Sequence, residues 1–274
     1  MAETINNGRD PRGKIEMTFL EEITPLILTY NEAPNIERVL ACLTWAKRVV
    51  IVDSDSTDQT ETLAKQFSNV IFLRRPFDTH SQQWNFGLGQ VATDWVLALD
   101  ADYVLPEEFI LELRQLQPGT GVAAYFARFK YCIDGHPLRA TLYPARAVLF
   151  SRGHCHYEQD GHTQRLHIAG PSETLAAVIH HDDRKPLDHW LRAQSRYAAL
   201  ETAKLLDCPR EALGLADRIR ASIVLAPILV FFHVLIGKGL ILDGWRGWYY
   251  VLQRTLAEVL LSLHLLERKL RRAR

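Results

Sequence analysis

The chain has 274 residues, which is enough to bury a full hydrophobic core as one domain or as one domain with a small satellite. It carries 32 basic and 32 acidic side chains, so its formal net charge is zero and nucleic acid is not expected as a partner. The four cysteines are widely spaced and form no Cys-x-x-Cys pair, which favours reduced side chains over disulfides or a zinc site. The polar segment 1–20 is predicted to be a disordered leader.

Four apolar runs in the first hundred residues predict strands that are buried on both faces: Ile23–Leu28, Val49–Asp53, Val70–Leu73 and Trp95–Leu99. Apolar residues at helical spacing follow the first two runs, within 36–43 and 63–67, and a further helix around Trp84–Leu88 precedes the fourth run. Strands that alternate with helices in this way predict an α/β fold, with a mostly parallel sheet and helices on both of its faces.

Polar clusters follow three of these strands directly, at Tyr30–Glu32, Asp53–Asp55 and Asp100–Asp102. In parallel α/β sheets, ligands bind at the carboxyl ends of the strands, so the three clusters predict one site. Asp100 and Asp102 are separated by one residue, and side chains two apart in an extended segment point to the same side. Two such carboxylates suit Mg²⁺ or Mn²⁺ with coordination positions left open for phosphate oxygens, which indicates diphosphate chemistry.

Four motifs occur in an order and at separations that carry a family resemblance: Leu28–Glu32, Val52–Thr60, Gln83–Gly87 and Leu99–Tyr103. Together they resemble the inverting GT-A glycosyltransferases of family 2, which use nucleotide-diphospho-sugars. Within that family the chain is most similar to bacterial lipopolysaccharide-core glycosyltransferases. The resemblance covers roughly residues 22 to 200. It implies a GT-A fold and a metal-dependent transfer of one hexose-type sugar with inversion of its anomeric configuration.

The resemblance also implies a set of site residues. The residues expected to contact the nucleotide-sugar, with a UDP-sugar as the expected donor, are Tyr30, Glu32, Asp53, Asp55, Gln83, Asn85 and Asp100. The Mn²⁺ or Mg²⁺ ligands are expected to be Asp100 and Asp102, completed by a late histidine, for which His162 and His181 are the candidates. Relatives often place a cation near Gln82 or Gln83 to meet the phosphates, and its absence here leaves Arg74 or Arg75 as substitutes.

The segment Tyr157–Arg165 is predicted to supply the catalytic base. Asp160-Gly161 is typical of a turn, which would put Glu158, Asp160 and His162 on a loop facing the sugar. Inverting transfer needs a carboxylate that takes the proton of the acceptor hydroxyl. We expect Asp160 to be this base, with Glu158 as the reserve. Each histidine of the region is equally consistent with a solvated or hydrogen-bonded side chain.

The C-terminal part, 191–274, is predicted to be helical and membrane-associated. Its apolar run Ile223–Ile236 is interrupted by Pro227 and is short against the about 20 residues that a spanning helix needs, so an interfacial or re-entrant segment competes with a single span. Aromatic residues at 245–250 are typical of the headgroup region, and the basic end Arg268–Arg274 would be attracted to anionic lipid. The alternative is a buried helical hairpin that completes a soluble core or a dimer interface.

These observations combine into one hypothesis. A catalytic domain over 21–190, with a nucleotide-sugar half near 21–104 and an acceptor half near 105–190, is followed by membrane-associated helices over 191–274. The expected function is transfer of a sugar to a glycolipid or to the oligosaccharide of a lipopolysaccharide-type acceptor, at the cytoplasmic face of the bacterial inner membrane. One alternative is a polyprenyl-phosphate glycosyltransferase. An alternative of another class is a non-catalytic nucleotide-binding scaffold, against which the retained Asp100, Asp102 and Asp160 argue.

Overall fold

The computed structural model describes residues 19–160, 163–209, 211 and 213–272. Most of the predicted leader, residues 1–18, therefore lies outside the described residues. Phe19 and Leu20 belong to a 3₁₀ turn, Phe19–Glu22, in which Leu20 is buried.

Strands and helices alternate through the first half of the chain and helices follow in the last third. The strands are β1 (Ile23–Thr29), β2 (Val49–Asp53), β3 (Val70–Arg74), β4 (Trp95–Asp100), β5 (Tyr103–Val104), β6 (Ala124–Ile133), β7 (His136–Pro137), β8 (Arg146–Ser151), β9 (Cys155–Asp160), β10 (Thr163–Ile168) and β11 (Ser172–His181). The helices are α1 (Ile36–Ala41), α2 (Thr60–Ala64), α3 (His80–Gln90), α4 (Glu107–Gln115), α5 (Leu187–Asp207), α6 (Leu215–Ala221), α7 (Leu225–Phe232) and α8 (Gly244–Arg272).

The main sheet runs in the order β3-β2-β1-β4-β8-β6-β11-β5, and β7 pairs with β6. Neighbours among β3, β2, β1 and β4 are parallel, as the sequence predicted for this half. Beyond β4, strand β8 is antiparallel to both β4 and β6, and β5 is antiparallel to β11, whereas β6 and β11 are parallel. The prediction of a mostly parallel sheet thus holds for the first half, and the whole sheet is mixed.

The sheet is buried on both faces because successive residues of its central strands enter different cores. In β4, Leu97 and Leu99 pack towards α1 and α4, whereas Val96 and Ala98 pack towards α3. This two-sided burial explains why the strands are continuous apolar runs in the sequence. Gly87 lets α3 approach closely, because a Cβ at this position would lie 2.6 Å from the Cδ1 atom of Leu26.

Strands β9 and β10 form a separate antiparallel hairpin that lies against α3. Tyr157 of β9 stacks on Trp84 of α3 with ring centroids 5.2 Å apart. The Asn85 amide exchanges two hydrogen bonds with the backbone of Tyr157, at 2.8 and 2.9 Å. The hairpin is therefore fixed against the α3 face of the sheet, beside the end of β4.

The C-terminal helices pack on one another and on the edge of the sheet. Helix α8 contacts α5 and α7 along its length. Tyr250 of α8 lies 4.8 Å from the ring of Tyr131 on β6, and its hydroxyl accepts a hydrogen bond from the backbone N–H of Leu142 at 3.0 Å. The helices thus continue the fold instead of forming an isolated tail.

Among the described residues, no single helix is both long and apolar enough to cross a bilayer. The consecutive segments Leu225–Gly237 and Leu240–Arg271, which meet at a bend of 69°, satisfy the length and composition requirement only as a pair.

Candidate active site at the strand ends

The carboxyl ends of β1, β2 and β4 meet at one edge of the sheet. The strands are parallel neighbours, with Thr29 opposite Asp53 and Leu28 opposite Asp100. All three predicted polar clusters therefore reach the same edge. The site can be described as a β1–β2 edge, formed by residues 30–35 and 53–60, and a second part around the ends of β4 and β11.

At the β1–β2 edge, Asp53 is fully buried and its carboxylate bonds within the protein. It accepts hydrogen bonds from the hydroxyl of Thr29 at 2.7 Å and from the backbone N–H and hydroxyl of Ser56 at 2.8 and 2.6 Å. A carboxylate with three protein donors holds the turn after β2 in place. If Asp53 also contacts a nucleotide, as predicted, it must do so while it keeps these three hydrogen bonds.

The turns at this edge depend on residues that tolerate left-handed backbone angles. Asn31 has φ of 54° and Asp55 has φ of 59°, values that Asn and Asp adopt more readily than most residues. The Asn31 side-chain oxygen accepts from the backbone N–H of Thr57 at 2.9 Å, which ties the two turns together. Asp55 and Tyr30 are exposed at the rim, so both remain free to contact a ligand.

Glu32 is buried beside a lysine that the sequence analysis did not select. The Lys185 ammonium donates to Glu32 at 2.6 Å, and Asn35 donates to both Glu32 and Asp183 at 2.9 Å. Burial, only partly offset by Lys185, raises the pKa of Glu32 to about 7. Burial alone would lower the pKa of Lys185, but the neighbouring carboxylates of Glu32 and Asp183 outweigh it and raise that pKa.

The charged segment Asp182–Lys185 follows β11 and is pinned to α1. Arg38 binds the carboxylate of Asp182 at 2.6 Å, and the same carboxylate accepts from the backbone N–H of Gly135 at 3.0 Å. The backbone N–H of Asp182 donates to the carbonyl of Asp102 at 2.9 Å. Arg38 and Asp182 are 144 residues apart in the sequence, so sequence reasoning did not pair them. In the structure, the segment Asp182–Lys185 fixes the end of β11 against the turn after β4.

Asp102 and His181 form the buried centre of the site. Their Oδ2 and Nε2 atoms are 3.1 Å apart, and each side chain is only 14% exposed. Burial opposes a charge on His181, yet the adjacent carboxylates of Asp102 and Asp100 raise its pKa. Burial also disfavours the charge on Asp102, but His181 and Lys185 lower its pKa. Each side chain of the pair therefore favours the charged form of the other.

Three tyrosines surround the imidazole of His181. The rings of Tyr143, Tyr131 and Tyr103 have centroids 4.7, 4.9 and 5.5 Å from that of His181. The Tyr103 and Tyr143 hydroxyls share a hydrogen bond of 2.5 Å. We call Tyr103, Tyr131, Tyr143 and the adjoining Tyr250 the aromatic wall. It holds the histidine in one orientation.

The residues present fit a divalent metal ion, although they do not form a complete ligand set. The Oδ1 atom of Asp102 and the Nδ1 atom of His181 are buried and have no hydrogen-bond partner. Among the described residues, no group of three or more His, Cys, Asp or Glu side chains is assembled for a metal. Mg²⁺ commonly takes only one or two protein carboxylates and completes its coordination with water and substrate phosphates. Asp102 and His181, with Asp100 nearby, provide a donor set of this kind.

Residues of α3 and the end of β3 mostly bond to each other. The Gln83 amide donates to the Ser54 hydroxyl at 2.8 Å and accepts from Arg75 at 2.5 Å. Arg75 also binds Asp78 at 2.8 Å, and Arg74 pairs with Glu61. Asn85 is the residue that fixes the hairpin. The two arginines considered as phosphate ligands thus already have acidic partners.

The predicted base lies on a strand and not on a loop. Glu158 and Asp160 belong to β9, where residues two apart share one face. The chain reverses between Asp160 and Thr163, as the predicted turn requires, but the two carboxylate residues lie on the strand before it. Glu158 is 56% exposed and lies 3.1 Å from the Nε2 atom of His156. The backbone of Asp160 pairs with that of Thr163. The side chain of Asp160 and the whole of His162 lie outside the described residues.

A cavity of about 650 Å³ lies between the sheet and the hairpin. Asp100 at the end of β4 lines it, together with Arg146, which sequence reasoning also missed. Its other walls include Trp84, Tyr103 and Tyr157 and the strand segment Gln164–Ile168. The volume is within the range typical of small-molecule sites, and the position beside Asp100 makes this the space in which a sugar can lie next to the strand-end edge.

Comparison with known proteins identifies the family. The family model described as glycosyl transferase family 2 matches residues 26–180, more than half of the chain. A glycosyltransferase of Rickettsia felis is 32% identical over 98 residues, which are 35% of this chain and 34% of that protein. The lipopolysaccharide core biosynthesis glycosyltransferase LpsC of Rhizobium meliloti is 29% identical over 100 residues, 35% of this chain and 36% of that protein. The matched part therefore spans about a third of the length of these relatives.

The fold has a solved counterpart. A mannosyltransferase from Pyrobaculum calidifontis, in complex with GDP-Man and Mn²⁺, superposes with a TM-score of 0.53 at 16% sequence identity, covering 96% of this chain and 90% of that chain. At this identity the likeness establishes the GT-A-like arrangement of the sheet and its helices. Together with the matching family model, it shows that the chain belongs to glycosyl transferase family 2 and is similar to lipopolysaccharide-core enzymes.

Proposed function

We propose that this protein is a metal-dependent inverting glycosyltransferase, which moves a sugar from a nucleotide-diphospho-sugar to a glycolipid or lipopolysaccharide-type acceptor. The observation that carries the proposal is the buried Asp102–His181 pair at the carboxyl ends of the strands, with Asp100 on the adjoining cavity wall. Family membership and the GDP-Man and Mn²⁺ bound by the Pyrobaculum mannosyltransferase support this class of donor and metal. A UDP-sugar is the donor we test first.

Each part of the strand-end edge has a role in this proposal. Tyr30 and Asp55 at the exposed rim contact the nucleotide, while Asp53 keeps the turn behind them in shape. Asp100, Asp102 and His181 would hold Mn²⁺ or Mg²⁺, which when bound neutralises charge that develops on the departing diphosphate. Lys185 lies beside Glu32 at the same edge and adds positive charge close to Asp102.

A carboxylate on β9 completes the chemistry. Inversion at the anomeric carbon requires one displacement, in which the acceptor hydroxyl attacks and its proton passes to a base. Asp160 remains our first choice and Glu158 the reserve. Glu158 is open to solvent, and its contact His156 lies on the same face of β9. A base at this face would act on an acceptor that enters from the hairpin side.

The surface of the C-terminal helices supports the proposal of a lipid-linked acceptor. Large apolar side chains are exposed there in unusual number: Leu225, Ile228, Leu229, Phe232, Ile236, Leu242, Trp245, Leu252 and Leu263. Trp245 is 88% exposed. Contiguous apolar surface of this kind marks an interaction site. Exposed cations border it at Lys238, Arg246 and Arg268–Arg271, and such cations favour anionic headgroups by about 1 kcal/mol each near a membrane surface. We propose peripheral or monotopic attachment to the cytoplasmic face of the inner membrane.

The membrane part of the proposal is tested by flotation with vesicles that contain anionic lipid. Leu229→Glu and Phe232→Glu should reduce binding strongly without unfolding the protein, because both side chains are about half exposed. The matched control is Leu111→Glu on α4, which is 42% exposed and distant in sequence from the C-terminal helices. Equal vesicle binding by the wild type and the Leu229 and Phe232 variants would contradict attachment through this surface.

The enzymatic part is tested by screening nucleotide-sugars for release of nucleotide diphosphate, with Mn²⁺ or Mg²⁺, with and without bacterial lipid extract. The proposal expects release that depends on one class of donor, on the metal and on lipid. Full turnover in excess chelator would exclude metal dependence. Transfer to polyprenyl phosphate, and not to a hydroxyl of a glycolipid, would favour the alternative function.

A further inference from the structure

Arg146 is a cation at the candidate site whose guanidinium has no acidic partner among the described residues. Other arginines near the site do have one, since Arg38 binds Asp182, Arg75 binds Asp78 and Arg184 binds Asp182. For Arg146, the nearest described contact of this kind is the ring of Tyr143, with the guanidinium carbon 4.9 Å from its centroid. Among the described residues Arg146 thus has no ion-pair partner, although the charge of Asp100 in the same cavity lining interacts with it.

The position of Arg146 is fixed by its surroundings. It is the first residue of β8, paired in register with Ala127 of β6. The ring of Tyr143 on which it lies is itself held by the hydroxyl of Tyr103 and by Phe129, whose ring centroid is 5.0 Å away. A planar guanidinium laid on an immobilised ring loses little further freedom when it binds a ligand. Arg146 would therefore lose little conformational freedom when it binds an anion.

A ligand in the 650 Å³ cavity can bring an anion to Arg146, because Arg146 is exposed and lines that cavity. Asp100 lines the same cavity, and its charge interacts with Arg146 without a direct ion pair. The proposed function commits Asp100 to metal and donor. Arg165 and His167 of β10 add basic groups to the same walls, so the lining is not acidic overall. Aromatic residues Trp84 and Tyr157 supply apolar surface on which a sugar ring can lie.

We propose that the sugar bound in this cavity is acidic, carrying a carboxylate or phosphate group that Arg146 binds. The inference rests on the proposed function and specifies its substrate class. Arginine forms paired hydrogen bonds to carboxylate and phosphate oxygens, which a neutral hydroxymethyl group cannot replace. Most of the lining comes from residues 126–168, which belong to the acceptor half, and this favours the acceptor as the carrier of the charge.

Two binding experiments distinguish the donor from the acceptor as the source of the acidic group. In the donor experiment, the dissociation constants of UDP, UDP-glucose and UDP-glucuronic acid are measured calorimetrically with Mn²⁺. In the acceptor experiment, binding of glucose, glucuronic acid and glucose 6-phosphate is followed by saturation-transfer NMR, with and without UDP. Wild type is compared with Arg146→Gln, Arg146→Lys and the control Arg114→Gln, an exposed arginine on α4.

The wild type should prefer the acidic over the neutral sugar by about tenfold or more in one of the two experiments, the scale of a charge-assisted hydrogen bond. Arg146→Gln should lose this preference, Arg146→Lys should retain part of it, and Arg114→Gln should retain all of it. Absence of any preference in the wild type would overturn the proposal. It would also be overturned if Arg146→Gln weakened binding of free UDP as much as that of the acidic sugars, because Arg146 would then serve the diphosphate. Failure of the wild type to bind any nucleotide would instead contradict the proposed function.

Discussion

At the ends of β1 and β2 the polar side chains bond mainly to one another, whereas at the ends of β4 and β11 two buried polar atoms lack a hydrogen-bond partner. Asp53 has three protein donors, and Gln83 bonds to Ser54 and Arg75. By contrast, Asp102 and His181 each keep a buried atom without a hydrogen bond. An unsatisfied buried polar atom costs about 1–3 kcal/mol, so its persistence points to a ligand that satisfies it. The polar side chains of the first region are thus held in place by one another, whereas the second region leaves buried polar atoms available to a ligand.

The strongest test of this contrast is Asp102→Ala. We expect activity to fall by about 10³-fold or more, because the metal contributes several kcal/mol of charge stabilisation in such reactions. The fold should persist, since Asp102 lies in the turn after β4 and His181 can become neutral once the carboxylate is gone. Asp94→Ala is the matched control, because this exposed aspartate lies just before β4, at the opposite end of the same strand. Activity, Mn²⁺ binding by electron paramagnetic resonance, and melting temperature are the measurements.

The base should show a smaller loss that leaves donor affinity unchanged. Asp160→Asn is expected to lower kcat by about 10²-fold, the scale of a lost general base, with the dissociation constant of the donor close to that of the wild type. Glu158→Gln is measured in parallel. If Asp160→Asn turns over normally and Glu158→Gln does not, the two carboxylates exchange roles. Normal turnover of both variants would show that neither carboxylate of β9 acts as the base.

At the β1–β2 edge, where the polar side chains bond to one another, we expect a substitution to lower the stability of the fold. Asp53→Ala leaves the Thr29 hydroxyl and the Ser56 backbone N–H without their acceptor, and should destabilise the fold by about 2–4 kcal/mol. Urea unfolding measures this loss. The control Asp55→Asn keeps a residue type that tolerates the left-handed angle of 59° and should change stability little. If Asp53→Ala were as stable as the wild type but lost donor binding, Asp53 would belong with the ligand-facing residues.

The smallest expected effect concerns the Glu32–Lys185 pair. In the unfolded chain Glu32 titrates near 4.5, whereas in the folded protein burial raises its pKa to about 7. The folded state therefore binds the extra proton between these values, so the free energy of unfolding should fall as pH rises from about 4.5 to 7, by at most a few kcal/mol.

In Glu32→Gln this fall should be absent, and thermal unfolding across the same pH range measures the difference. Glu37→Gln, on the exposed side of α1, should keep the slope of the wild type. A wild-type stability that rises through this pH window would show that Lys185 dominates the pair and keeps Glu32 ionised.

The parts of the fold and of the site that depend on local sequence patterns could be predicted from the sequence. Buried runs such as Val49–Asp53 predicted the central strands. The family resemblance named His162 and His181 as candidate ligands, and the structure places His181 beside Asp102. Contacts between distant segments could not be predicted in this way. Lys185 and Glu32 are 153 residues apart, and Arg146 has no distinguishing motif. The Asp160-Gly161 turn signal agrees with the reversal of the chain between β9 and β10, but the loop predicted around it wrongly included Glu158, which lies on β9.

The aromatic wall has a practical consequence for protein engineering. Tyr250 of α8 touches Tyr131, and Tyr131 touches His181, with ring centroids 4.8 and 4.9 Å apart. A shortened protein that ended before α8, the obvious way to remove exposed apolar surface, would take away the support behind the histidine as well. Replacing individual exposed side chains such as Trp245 or Leu252 leaves that support intact. Surface substitution, and not truncation, is therefore the way to reduce the exposed apolar surface while keeping the support of His181.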